Sequence, residues 1–257
     1  MKLIIVPART GLTWVKSGIL IFFKQPIALA GLFFMFVACL TLLSQIPVFG
    51  TIIAMILLPS FTLGLMSASR EAIDGRFPMP FVLFTAFRAG KVQTTAMLIL
   101  GALYAFGFMS ILGLSFLVDD GVFAKVYLGG SLSKSEDINL SSFQAAMWMF
   151  VVLHLPLSLM FWHAPALVRW HGASPIKSIF FSGVACWRNV GAFAIFGIAW
   201  VGVLVAALFT ITTLTSLLGI PGIAAEIIFP LLLLIAAMFF ASLYYSFESC
   251  FSIEELA

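Results

Sequence analysis

Six runs of apolar residues, each near or above 20 residues long, constrain this chain more than any other feature. They cover about Pro26–Ser44, Val48–Ala68, Thr94–Val118, Gln144–Val168, Val190–Leu218 and Ile223–Phe247. A helix rises about 1.5 Å per residue, so roughly 20 apolar residues cross about 30 Å of hydrocarbon. The chain is 63% hydrophobic and 9% charged over 257 residues, too little polar surface to face water on all sides. The expected fold class is all-α: a polytopic membrane protein with six transmembrane helices, forming a single integral membrane domain over 1–257. Only Gln45-Ile46-Pro47 separates the first two runs, but their joint length requires two crossings.

The basic residues set the expected orientation. Of the 13 Lys and Arg, eleven fall before the first run, between the second and third, or between the fourth and fifth. The other two, Lys125 and Lys134, share one loop over Asp119–Ser142, in which Val122–Leu128 reads as a short ordered piece. Lys and Arg concentrate in cytoplasmic loops. Both termini and the eleven-residue side are therefore expected in the cytoplasm. The apolar stretch in MKLIIVPAR is too short for a signal peptide. The start reads as a mature cytoplasmic end, and the first run as an uncleaved anchor.

The chain also repeats itself. Pro59, Gly75, Pro78, Phe84 and Lys91 correspond, 97 positions on, to Pro156, Gly172, Pro175, Phe181 and Arg188. A short amphipathic stretch precedes each odd-numbered run. Leu12, Val15, Ile19 and Phe22 mark the first; Leu83, Phe84 and Phe87 the second; Ile176, Ile179, Phe180 and Val184 the third. These read as interfacial helices with the apolar face in the acyl boundary. Trp14, Trp170 and Trp187 would form an aromatic belt at that level. The pattern predicts three parallel two-helix units, about 8–77, 78–174 and 175–257. Pro59, Pro156 and Pro230 are expected to kink the return helices at matching depths. Lys24, Lys91 and Arg188 mark equivalent junctions, expected at headgroup level.

Few residues offer chemistry. His154 lies near the middle of the fourth run, where an ionisable group is a functional candidate; the plainer reading is a neutral ring bonded to a carbonyl freed by Pro156. His163, nine residues on, points to a different side, so one helix does not pair the two as metal or haem ligands. Glu226 is either a vestibule carboxylate or a charge favoured by the helix N-terminus. Arg70, Glu71, Asp74 and Arg76 crowd the end of the second run; Arg70 and Asp74 can pair if the helix continues. Asp74-Gly75 reads as its C-terminal turn. Cys39, Cys186 and Cys250 show no metal or disulfide spacing. No catalytic motif appears, so no enzyme activity and no cofactor are expected. The basic residues track the membrane face, so the expected partners are lipids with anionic headgroups rather than nucleic acid. A protein partner or a second copy stays open.

Phe-Phe-Lys-Gln-Pro before the first run, Ser-Arg-Glu-Ala-Ile-Asp-Gly-Arg-Phe-Pro-Met-Pro after the second and Cys-Trp-Arg-Asn-Val before the fifth resemble a group of uncharacterised six-helix bacterial inner-membrane proteins. The chain is also loosely similar to the membrane domain of some glycerophosphodiester phosphodiesterases, without their soluble catalytic domain. The resemblance implies the fold and an inner-membrane location, and no activity. Two function classes follow: a small transport or lipid-handling module, and a non-catalytic scaffold or assembly partner. A polar cavity lined by His154 would favour the first; a dry bundle would favour the second.

Overall fold

The computed structural model describes residues 2–47, 49–130, 139–220 and 222–252. Ten α-helices carry the fold among these residues: α1 (Thr10–Lys24), α2 (Pro26–Ser44), α3 (Gly50–Ile73), α4 (Lys91–Asp119), α5 (Val122–Tyr127), α6 (Leu140–Trp162), α7 (Ala164–His171), α8 (Pro175–Arg188), α9 (Val190–Leu217) and α10 (Ile223–Cys250). A 3-10 helix covers Pro80–Arg88. The six expected runs become six spans long and apolar enough to cross a membrane: α2, α3, α4, α6 with α7, α9 and α10. The protein is an all-α, polytopic membrane protein. Val48, the expected start of the second span, and residues 131–138 of the long loop lie outside the described residues.

Local chemistry explains most element ends. Gln25 separates α1 from α2 because the residue before Pro26 is pushed out of the helical region, and it sits at φ −140°, ψ 61°. Asn189 separates α8 from α9, its side-chain amide bonding the Ala185 carbonyl at 3.0 Å in competition with the helix. Gly75 and Gly172 end α3 and α7 with φ of 75° and 63°, a conformation that favours glycine. Asn139 caps α6, accepting from the N–H groups of Ser141 and Ser142. Asp119 accepts from the N–H groups of Gly121 and Phe123 and so caps α5, the ordered piece of the long loop.

The packing runs in a ring. α1 rests mainly on α10, the 3-10 helix on α3, and α8 on α6 and α7. Each leading segment thus lies against a return helix from another part of the chain. α3 is the most buried of the six spans and touches α2, α4 and α10. Gly101 of α4 lies directly against the Ile56 carbonyl of α3, where a side chain would collide with backbone. Small residues let membrane helices approach this closely.

Two local expectations are corrected, and one feature was not expected. Trp14 does not sit in an exposed aromatic belt. Trp14 is fully buried, its ring 5.2 Å from Phe193 of α9 and its Nε1–H donating to Ser249 Oγ of α10 at 3.0 Å. α1 is wedged in because Gly11 and Gly18 let it meet α9 and α10 backbone to backbone. Asp74 does not pair with Arg70, because α3 ends at Ile73; it binds Arg76 at 2.7 Å, while Arg70 lies over the Trp170 ring. The chain ends form a ribbon absent from the sequence reading, Lys2–Leu3 pairing antiparallel with Phe251–Ser252.

Candidate functional site

The polar side chains that matter lie where the fourth span breaks. Pro165 lacks an N–H and its ring crowds the Phe161 carbonyl, so the helix cannot run on unbroken. The interruption falls at His163, between α6 and α7. In an unbroken helix the His163 N–H would bond the Leu159 carbonyl. Here the Ser182 hydroxyl of α8 stands between them. It accepts from the His163 N–H at 2.9 Å and donates to the Leu159 oxygen at 3.0 Å. A side chain inserted into the ladder is a recognised cause of a sharp bend. By contrast, α3, α6 and α10 continue as helix through Pro59, Pro156 and Pro230.

His163 is fully buried among the rings of Phe193, Phe247 and Phe251. Its Nε2 lies 3.1 Å from Ser246 Oγ of α10. The Ser246 proton is already used on the Leu243 carbonyl at 2.8 Å. The serine oxygen must therefore accept, which puts the imidazole proton on Nε2. The same oxygen accepts from Trp162 Nε1–H at 3.2 Å. His163 thus ties the bend to α10. Its Nδ1 has no hydrogen-bond partner among the described residues.

Asn189 extends this knot to the chain ends. Its Oδ1 accepts from the Val6 N–H at 2.8 Å, and its Nδ2 donates to the Ile4 carbonyl at 3.1 Å. Cys250 is close by, its carbonyl accepting from the Ile4 N–H at 2.9 Å. Burial, with Cys250 nearby, pushes the Cys186 thiol well above its ordinary range.

The other candidates are placed separately. His154 is half-buried, stacked on Phe150 at 5.4 Å and edge-on to Phe108 at 5.5 Å; no hydrogen bond joins it to a carbonyl freed by Pro156. Glu226 is exposed in the first turn of α10, where the helix dipole favours it. Lys24 ends α1, Lys91 starts α4 and Arg188 ends α8; all three are exposed. They share one end of the bundle. Gln25 Nε2 reaches the Arg76 carbonyl at 3.0 Å, and Arg169 Nη1 reaches Gln93 Oε1 at 3.2 Å, tying together the helix ends that carry them. Among the described residues, no three of His, Cys, Asp and Glu gather in a way that could hold a metal ion.

A pocket of about 160 Å³ lies where α3, α4, α6 and α10 converge. Its walls are mainly apolar and aromatic, and His154 is not among them. Three of its lining residues carry hydroxyls. Those of Thr62 and Ser158 donate to carbonyls of their own helices, Leu58 and His154, each at 2.9 Å. The third is that of Tyr104, a residue 7% exposed, whose hydroxyl has no protein partner among the described residues. Two further grooves lie elsewhere on the bundle. One, about 310 Å³, lies between α6 and α8; the other, about 320 Å³, between α9 and α10.

Sequence reasoning missed Ser182, Ser246, Asn189 and Tyr104. Ser178, Ser182 and Cys186 recur at four-residue spacing on α8 and form its buried face. Small and hydroxyl residues at that spacing are the signature of a packed membrane-helix face. Tyr104 is a single polar tip in an apolar run and gives no spacing signal.

Six long apolar spans and a buried polar knot at one end define a multi-pass, helical membrane protein. Comparison with known proteins narrows this. The chain is 34% identical over 258 residues to a probable inner membrane protein of Burkholderia thailandensis, an alignment covering 99% of this chain and 96% of that one. The chain belongs to the family of that inner membrane protein. No family profile and no solved structure matches it.

Proposed function

We propose that the protein is a non-catalytic lipid-handling module, built of three parallel units, with its basic end in the cytoplasm. One observation carries the reading. The groove between α6 and α8 is walled by Met160, Ile179, Phe180, Gly183, Val184 and Trp187, and the next residue is the exposed Arg188. An acyl chain fits the groove while its phosphate meets the guanidinium. Lys24 and Lys91 hold corresponding junctions on the ring of packed segments. Near an anionic leaflet each such residue is worth about 1 kcal/mol, so three acting independently give roughly 3 kcal/mol, on the order of a hundredfold in local lipid composition. The looser likeness to the membrane domain of glycerophosphodiester phosphodiesterases adds a lipid context and no catalysis. A second reading, a scaffold or assembly partner, draws on the central pocket, which is small and lined by no charged side chain.

The test is the combined Lys24→Gln, Lys91→Gln, Arg188→Gln variant. The remaining basic residues hold the topology, so the protein still inserts correctly. Native mass spectrometry should show a clear loss of bound anionic phospholipid. Unchanged retention in a correctly inserted variant would sink the proposal.

A further inference from the structure

The central pocket combines three properties that limit what can occupy it. The first is depth. Tyr104 lies thirteen residues into α4 from Lys91, about 20 Å along the helix axis, which puts its hydroxyl near the middle of the bilayer. A charged headgroup at that depth costs several kcal/mol, and no charged side chain lines the pocket to offset it. The occupant is therefore neutral.

The second property is the wall. Tyr104, Phe161, Trp162, Phe239 and Phe240 all face the space. Tyr104 and Phe161 meet at 5.2 Å and 70°, and Trp162 and Phe239 at 5.8 Å and 89°. Such faces and edges suit a flat ring better than a flexible chain. The volume, about 160 Å³, is roughly five water volumes and takes one small substituted ring.

The third is the Tyr104 hydroxyl. Thr62 and Ser158 have already committed their protons, and Trp162 Nε1–H is held by Ser246. Among the described residues, the Tyr104 O–H is the pocket's one uncommitted donor. A hydroxyl without an acceptor in an apolar setting is costly. The occupant that satisfies it carries a hydrogen-bond acceptor on a flat, neutral frame.

We propose that this pocket binds the ring of a membrane quinone, with the Tyr104 O–H donating to one ring carbonyl and the apolar tail leaving between the helices into lipid. The proposal concerns binding, and no electron transfer is assigned to it. It is independent of the headgroup reading: the two use different residues at different depths, and the Gln triple variant leaves this pocket untouched.

The experiment uses the purified full-length protein in nanodiscs, titrated with decylubiquinone and, separately, with menadione. Trp162 in the wall makes tryptophan fluorescence quenching one readout, and native mass spectrometry gives a second. Saturable binding of either quinone is expected, and the better ligand identifies the ring size. Tyr104→Phe removes only a hydroxyl with no protein partner, so it leaves the fold intact; it should weaken binding roughly three- to tenfold, the value of one hydrogen bond. Leu58→Trp should fill the pocket and abolish binding. Dodecanol and oleic acid, which lack a flat ketone ring, should not compete. Absence of saturable binding by both quinones, equal affinity in Tyr104→Phe, or equal competition by dodecanol would each overturn the proposal.

Discussion

Ser182→Ala is the sharpest test of the bend in the fourth span. In the native protein one hydroxyl serves two backbone groups, the His163 N–H at 2.9 Å and the Leu159 carbonyl at 3.0 Å, at a fully buried position. Alanine leaves the N–H without a partner. The Leu159 oxygen keeps a weak contact with Cys186 Sγ at 3.5 Å, so its loss adds little. An orphaned buried donor costs about 1–3 kcal/mol, which puts the variant about 2 kcal/mol below wild type. The helix cannot recover this by closing the bond directly, because Pro165 still crowds the preceding turn. Unfolding in mixed micelles of dodecyl maltoside and SDS would measure the difference. Pro165→Ala supplies the control. With the ring removed, the His163 N–H can reach the Leu159 carbonyl unaided, so Ser182→Ala should cost about 1 kcal/mol less in that background, within the range of coupled neighbours. A loss below about 0.5 kcal/mol in the single variant, or strict additivity in the double, would refute the account.

Three further outcomes are expected. Asn189→Ala removes bonds to Val6, Ile4 and Ala185, so amide exchange across Lys2–Val6 should accelerate by on the order of tenfold or more, and unchanged protection would count against the clamp. With the Cys186 thiol held above its ordinary range, thiolate is scarce at neutral pH and rises only as the medium turns more alkaline; maleimide should label Cys186 in the unfolded protein and leave it untouched in the folded one at pH 7. Reporter fusions after Lys91 and after Arg188 should read cytoplasmic and one near Ser133 external, and a cytoplasmic signal at Ser133 would reverse the orientation.

The spans were legible because lipid forces the issue. Every backbone group in hydrocarbon must be bonded within the helix, so a crossing needs a long apolar run, and such runs are visible one residue at a time. Their ends were less legible. α4 begins at Lys91 rather than Thr94, and α10 continues to Cys250, because the hydrogen-bond ladder runs on into the headgroup region. On α8 the part that was not legible is the buried serine face. In water the more apolar face is buried. In a membrane protein Ile176 and Phe180 point outward while Ser178 and Ser182 pack inside, where small size and a hydroxyl permit close approach. The histidines show the same limit. His154 drew attention through its depth, yet His163 occupies the polar knot, because its partners come from α8 and α10, far off in sequence.

The knot and the central pocket are one construction. Phe161 and Trp162 are the residues immediately before the break at His163, and both form walls of the pocket. Their direction is set by how far α6 runs before it bends, and Ser182 fixes that point. Trp162 is held further by Ser246, the hydroxyl that also holds His163. Leu243, whose carbonyl takes the Ser246 proton, lines the pocket as well. The Ser182, Ser246 and Trp162 polar groups thus find bonded partners at the basic end, and they orient the rings deeper in the bundle. The interior beyond them needs no charge. A neutral, aromatic pocket in mid-membrane follows from where the fourth span is broken, and from the serine inserted at the break.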